Sequence, residues 1–307
     1  MAAALKNSFF YIGLTTMISA SAFAAEQNRS SFIESSAENI SKSKPAVDGV
    51  NGKLDIYGGA SQTDFVRVPE FSGLPPLQPA NLWKDSSGVT GTISVPLSHS
   101  FGAQFDVGSG VYGNRVMGDA SAHVFWRDPD KGLVGAYGSG QYLSGQIGSG
   151  VWRGAGEFES YIGSFTGRAL IGIQGQSQYS AGVNTQQYSF YDVQSIFYSP
   201  NRFFDHLELT YYPIQDLALS VGHIYSFGMN GVTSSAEYLL PQFSGKDAAP
   251  AVYVETNYAW NNAASLVGGL RVYFGNKPNS LIRRQREDVT GHPFGRDGAR
   301  RLYDPRY

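Results

Sequence analysis

Ala264-Ser-Leu-Val-Gly-Gly-Leu-Arg-Val-Tyr-Phe274 is the stretch on which the reading of this chain turns. Side chains alternate with period two along an extended strand. Leu266, Gly268, Leu270, Val272 and Phe274 therefore share one side. Ser265, Val267, Gly269, Arg271 and Tyr273 share the other. One face is apolar, and the opposite face carries a charge and a phenol. The run has the length of a tilted strand crossing a bilayer, about 9–11 residues. It ends on an aromatic, and a polar, charged segment follows at once. The expected fold is all-β: a transmembrane antiparallel up-and-down barrel of about 12 strands, closed by this strand.

The rest of the chain divides around that barrel. Residues 1–24 read as a secretory signal, with Lys6 as the positive start and Phe9 to Ile18 as a short apolar stretch. Ala22-Phe23-Ala24 supplies an A-x-A cleavage site. Residues 25–53 are rich in Ser, Asn, Lys and Glu, with little periodicity, and read as a disordered leader. Residues 54–274 hold the barrel, and 275–307 form a basic tail. No later apolar run reaches the roughly 18 residues of a membrane helix.

Composition supports an all-β chain. There are 37 Gly, 19 Tyr and 19 Phe, and only 16% of residues are charged. Cysteine is absent, so an exported chain of this kind closes by hydrogen bonding and packing rather than by disulfides. A net charge of -2 argues against a nucleic-acid partner. That charge is unevenly spread: the tail holds eight Lys/Arg against four Asp/Glu, which leaves an acidic body.

Short alternating segments recur from Leu54 onward, at 54–61, 88–97, 101–109, 118–127, 132–140, 152–162, 167–177, 203–212, 217–226, 233–240, 251–259 and 264–274. Tight turns rich in Pro, Asp, Ser or Gly follow most of the even-numbered segments, as at Ser98-His99-Ser100, Asp128 to Lys131, Gly163 to Thr166 and Pro213 to Asp216. Longer connections follow most of the odd ones, above all loops 62–87 and 178–202. Outer-membrane barrels show this asymmetry, and it predicts that both termini are periplasmic. Pro241 to Pro250 is long for such a turn, and Asn261-Asn262 is short for an external loop. A soluble sandwich alternates too, with its apolar face inward. The secretion signal, the loop parity and aromatics near strand ends (Trp126, Trp152, Tyr225, Trp260, Phe274) favour the membrane alternative.

Two segments resemble a known family. Gly269-Leu270-Arg271-Val272-Tyr273-Phe274-Gly275, followed by Ser280-Leu281-Ile282-Arg283-Arg284 and Arg286-Glu287-Asp288, is similar to the uncharacterised porin-like outer-membrane β-barrels of Gram-negative bacteria. Leu209 to Leu219, with Tyr211-Tyr212-Pro213 opening a turn, matches as well. The resemblance implies a barrel in the cell outer membrane, in contact with outer-membrane lipids, and it implies no reaction. A strand such as Leu270 to Phe274 also looks like the signal read by barrel-assembly machinery.

If the polar faces line a lumen, the inward residues are Asp55, Asp106, His123, Glu157, Glu159, Arg168, His206, Glu208, Glu255 and Arg271. Acids outnumber arginines six to two in that set. A wall of one sign concentrates counter-ions, which gives a narrow, weakly cation-selective channel for small polar solutes or ions. Equally, the same charges can pair across the lumen and knit a small barrel shut, leaving a structural or adhesive barrel that acts through its loops and tail. Loop 62–87 carries four prolines with Phe71 and Trp83, and loop 178–202 carries Tyr179, Tyr188, Tyr191, Phe197 and Tyr198. Either loop can fold inward as a constriction or stay on the surface.

No enzyme is expected. Two positions beyond His123, His206 and His223 stand Phe125, Glu208 and Tyr225, so none of these histidines is followed by a serine at that spacing. Gly108-x-Gly110-x-x-Gly113 opens no helix, which removes a dinucleotide role. The scattered histidines lack zinc-site spacing, and no cofactor or metal is expected. Arg283, Arg284 and Arg286 of the tail would face the periplasm, either solvated or against an anionic partner such as the cell-wall polymer. Nothing in the sequence marks an oligomer face.

Overall fold

The computed structural model describes residues 44–62, 83–113, 115–144, 147–180, 198–245, 248–259, 264–275 and 280–288. Twelve strands form one closed antiparallel barrel: β1 (Asn51–Gln62), β2 (Trp83–Pro96), β3 (Phe101–Tyr112), β4 (Arg115–Asp128), β5 (Gly132–Leu143), β6 (Ile147–Ile162), β7 (Phe165–Ser180), β8 (Tyr198–Ile214), β9 (Leu217–Ser226), β10 (Met229–Leu239), β11 (Ala248–Ala259) and β12 (Ala264–Phe274). Each strand pairs with its sequence neighbours, and β1 pairs with β12 from Gly52↔Phe274 to Gln62↔Ala264 to close the ring. The expected up-and-down order is therefore the observed one. Closure leaves no unpaired strand edge.

Several strands run further than the sequence suggests. β3 and β4 meet at Tyr112↔Arg115, and β9 and β10 at Ser226↔Met229. Two connections expected to be of intermediate length thus become tight hairpins. The cause is glycine. Gly110 in β3, beyond the expected end at 109, lies within the strand, although such a residue reads as a turn signal in sequence. β1 likewise begins at Asn51 rather than Leu54. The long connections, 63–82 and 181–197, lie outside the described residues, as do the proposed signal segment, Trp260 and the tail beyond Asp288.

At the opposite end the turns carry the expected chemistry. Asp130 N–H donates to Asp128 Oδ1 at 3.1 Å, and Lys131 N–H to the Asp128 carbonyl at 2.9 Å, an Asx-type turn. Gly163 supplies a φ of +55° between β6 and β7. The ten-residue Pro241–Pro250 segment is a single 3₁₀ turn, Pro241–Phe243, leading into β11, and Leu240 N–H bonds the Pro250 carbonyl at 2.8 Å.

The two faces separate by polarity. Val107 (63% exposed), Leu270 (57%) and Phe105 (53%) look outward, whereas Gln104, His123 and Glu157 look inward and are buried to 1% or less. A soluble β-protein has the opposite arrangement. Aromatic side chains stand at both rims of the outer surface. Phe101, Trp126, Phe165, Tyr211 and Phe274 lie toward the turn end, and Trp152, Phe203, Tyr225 and Tyr258 toward the loop end. Phe165 and Tyr211 stack across β7 and β8 with centroids 4.8 Å apart. This is the pattern of a transmembrane barrel.

Candidate functional site

The inward faces of the strands form a filled interior in three tiers. Toward the loop end, Tyr57, Tyr112, Met117, Leu143, Val151, Phe227, Tyr253 and Val267 pack as one apolar cluster. Phe227 enters it from the β9–β10 hairpin, where Phe227 (φ +51°) and Gly228 (φ +78°) both adopt left-handed backbone. Such a two-residue turn matches the twist of the flanking strands.

The middle tier is a set of ion-paired knots. Arg271 of β12 forks onto Asp55 of β1, with Nε to Oδ1 at 2.7 Å and Nη2 to Oδ2 at 2.9 Å, and its Nη1 donates to Glu237. Tyr273 Oη donates to the other Glu237 oxygen at 2.7 Å. The Arg271 guanidinium also lies 4.7 Å from the Tyr253 ring centroid. In a second knot, His123 sits between Glu157 (Nδ1, 2.8 Å) and Asp106 (Nε2, 3.2 Å). Asp106 accepts further bonds from Thr92, Gln104 and Ser121 at 2.7, 3.0 and 2.8 Å. In a third, Glu159 accepts from Arg168 Nε at 2.7 Å and Tyr161 Oη at 2.6 Å, and Arg168 Nη1 stands 3.8 Å from Glu208. Arg153 adds a fourth, donating to Gln141 at 2.6 Å and Gln174 at 3.2 Å. Charges removed from water are tolerated when paired and bonded in this way.

All ten lumen residues named from the sequence point inward. The sequence reading also passed over several. Lys53, Arg127, Arg153 and Glu237 are buried on the same faces. Their signal was the same alternation. Lys53 lay just outside an expected strand that began at Leu54, and Arg127 stands two residues beyond Phe125 and four beyond His123 on one face of β4. With these included, the excess of acid narrows from six against two to seven against five, and most interior charges pair. Partly exposed inward side chains include a strip on β8 to β11, Glu208, Ser220, Thr233, Ser235, Glu255 and Asn257, and also Asp119, Ser139 and Arg168 on the other strands.

The turn end is stopped by two segments outside the strands. A short helix, Leu281–Arg283, continues as a wide-turn segment, Arg284–Asp288. Leu281 is fully buried among Tyr212, Ala218, Leu239, Ala249, Ala251 and Tyr273. Gln285 accepts from Tyr212 Oη at 2.6 Å and donates to Glu237 at 3.2 Å. Arg286 donates to Thr166 Oγ1 (3.0 Å) and to the Gly163 and Phe165 carbonyls (3.1 and 2.7 Å), and lies over the Tyr161 and Tyr212 rings. Arg284 is buried with its guanidinium 5.6 Å from the Tyr273 centroid. The sequence places Arg283, Arg284 and Arg286 in the periplasm, either solvated or against an anionic partner. Arg284 and Arg286 instead turn into its mouth, because ring faces and orphan turn carbonyls there satisfy a guanidinium better than water on one side alone. Arg283 stays near the surface, paired with Glu287 at 2.9 Å.

The second stopper precedes β1. Ala46 N–H bonds the His99 carbonyl at 2.7 Å, Arg127 Nη1 donates to the Ala46 carbonyl at 3.2 Å, and Val47 packs on Phe125 and Leu133. Lys44 joins the two stoppers, 2.8 Å from Asp130 and 3.4 Å from Glu287.

No protein-family model matches the chain, and no curated protein matches it in sequence. Among solved structures, the translocator domain of the autotransporter NalP from Neisseria meningitidis is similar at 10% identity, over 84% of this chain and 97% of that one, with a TM-score of 0.49. An outer-membrane channel from Pseudomonas putida F1 is similar at 9% identity over 74% and 95%, TM-score 0.44. The outer-membrane phospholipase of Salmonella typhi is similar at 12% identity over 72% and 90%, TM-score 0.40. At such identity and overlap the likeness carries no activity across, and the closed barrel rests on the chain's own strand pairing.

Proposed function

We propose that the protein is an outer-membrane barrel of the porin-like kind that its last strand and tail resemble, with both ends of the chain in the periplasm. It passes small polar solutes or ions along one narrow strip of its lumen, with a weak preference for cations, when the stoppers at its turn end move aside. The observation that carries the membrane part is the outward apolar wall between two aromatic rims, around a polar interior. The strip of Glu208, Ser220, Thr233, Ser235, Glu255 and Asn257 supports a path, since these inward polar side chains on four adjoining strands are all partly exposed. Two carboxylates along it support the cation preference.

The alternative is a barrel that conducts nothing and acts through its surfaces. The apolar cluster at the loop end and the two stoppers at the turn end favour it. Planar-bilayer recording separates the two. The native chain is expected to show rare, small openings, and Leu281→Asp with Arg286→Ala steady, larger ones. Glu208→Gln with Glu255→Gln in that background shifts the reversal potential toward anions. Silence of the unstoppered variant at every voltage overturns the channel. The reading contains no reaction, and lipid release by the purified protein, beyond that of a barrel with His223 replaced by Phe, would overturn that part.

A further inference from the structure

Most outward-facing positions on this barrel are apolar or small, and the ionisable ones sit near strand ends: Asp85 near the start of β2 and Asp128 at the end of β4. Asp205 and His223 break the pattern. Asp205 pairs with Tyr225, and His223 pairs with Leu207 on one side and Val232 on the other, in registers that share a face with the exposed Leu209 and Val221. Both residues therefore project toward lipid, Asp205 from mid-strand and His223 three residues before the end of β9, beside the rim residue Tyr225. They are also joined. His223 Nδ1 lies 3.0 Å from Asp205 Oδ1, and Nε2 lies 3.1 Å from Asn230 Oδ1 on β10. The Asp205 carboxylate is 4% exposed behind the imidazole, which is itself 30% exposed. Asn230 is exposed. Ser234 and Thr256 continue the polar patch on the same outer face, paired across β10 and β11.

Height makes the patch informative. From Leu217 to His223, strand rise and tilt give about 15 Å along the membrane normal, against an apolar band of about 25 Å expected for an outer-membrane barrel. A uniform membrane would submerge an ionisable pair in acyl chains, where it is costly, whereas the cost falls steeply near the headgroups. A bilayer accommodates a short apolar wall by thinning locally.

The geometry points to a lipid-headgroup docking site on the outer face of β8 to β10. The headgroup layer at the loop end dips to the Asp205–His223–Asn230 cluster, where Asn230, its Oδ1 held by His223 Nε2, turns its amide N–H groups to the phosphate-bearing headgroup of a membrane lipid. Asp205, shielded by the imidazole, is a positioning residue that holds the ring. The inference rests on the membrane reading given under Proposed function.

The chain contains no cysteine, so single nitroxide labels can be placed at will. Label Val232→Cys, beside the cluster, and Val107→Cys on the far side of the barrel, in dilauroylphosphatidylcholine vesicles. Then compare collision with oxygen, which concentrates in acyl chains, and with a water-soluble nickel chelate. Position 107 is expected to favour oxygen. Position 232 is expected to favour nickel, with an oxygen-to-nickel ratio several-fold lower. Adding Asp205→Leu and His223→Leu should raise that ratio at position 232 toward the value at 107, in a barrel whose β circular dichroism is unchanged. A label at 232 as deep as that at 107 overturns the docking site while leaving the membrane reading intact. So does a label shielded from both reagents, the mark of a protein partner, or a ratio that the double substitution leaves unmoved. A label at 107 that favours nickel overturns the membrane reading first.

Discussion

Arg271 is the hub of the knot at the barrel seam. Its guanidinium holds Asp55 and Glu237 at once, between the rings of Tyr253 and Tyr273. Removing one partner of such a knot strands the other charges away from water. Arg271→Met is expected to lower stability by about 3–5 kcal/mol, measured as a shift in the urea midpoint in detergent or vesicles. Adding Asp55→Asn and Glu237→Gln should recover much of the loss. A single variant as stable as the native chain would show the knot to be hydrated. Phe227 poses a different trade. A left-handed backbone is costly for a bulky residue, yet its ring is 1% exposed in the loop-end cluster. Phe227→Gly relieves the backbone but empties the cluster, for an expected net loss of about 2–3 kcal/mol. Phe227→Asn tolerates the same backbone and isolates the packing component in the same titration.

At the scale of elements, the two stoppers are tied together by Lys44. Its ammonium hydrogen-bonds Asp130 and faces Glu287, which raises its pKa above the ordinary lysine value of 10.5. A pKa raised by folding stabilises fully below the unfolded value and is lost as pH rises through the folded one. The strap before β1 is therefore expected to hold at neutral pH and to loosen above about pH 10.5. A nitroxide at Val50, an exposed position beside the strap, should sharpen its spectrum over that range. In Lys44→Met the pH response should disappear, and a native spectrum insensitive to pH would refute the tie. At the barrel seam, Gly269 has its own requirement. A Cβ there would collide with the Ile56 carbonyl and stand 2.7 Å from Tyr253 Oη. Gly269→Val is expected to slow or prevent closure of β1 onto β12, read as loss of the compact, protease-resistant band.

The molecule as a whole wears its apolar side chains outside. Burial of that wall falls to lipid or detergent, because the interior is already filled by its own polar groups and two apolar ends. Withdrawal of detergent from the purified chain should give aggregates rather than a dissolved monomer on size exclusion. A stable soluble monomer would remove the membrane reading and the channel with it.

The sequence by itself determined the barrel's twelve strands, their antiparallel order and the residues that share each face. Those features follow from period-two alternation and turn chemistry, which act over a few neighbouring residues. It also marked the last strand, whose bounds of 264–274 are the observed ones. Strand ends were less legible where glycine continues a strand, as at Gly110, because the same residue also serves turns. Only the tertiary structure decided which charges meet. Asp55 and Arg271 stand at opposite ends of the barrel sequence and become neighbours through ring closure alone. Glu237, on β10, meets the same guanidinium across β11. The stoppers were illegible too, since a helical segment as short as Leu281–Asp288 has no periodicity to read. Its place depends on a mouth lined by Tyr161, Tyr212 and Tyr273, and that mouth exists only once the strands have closed around it.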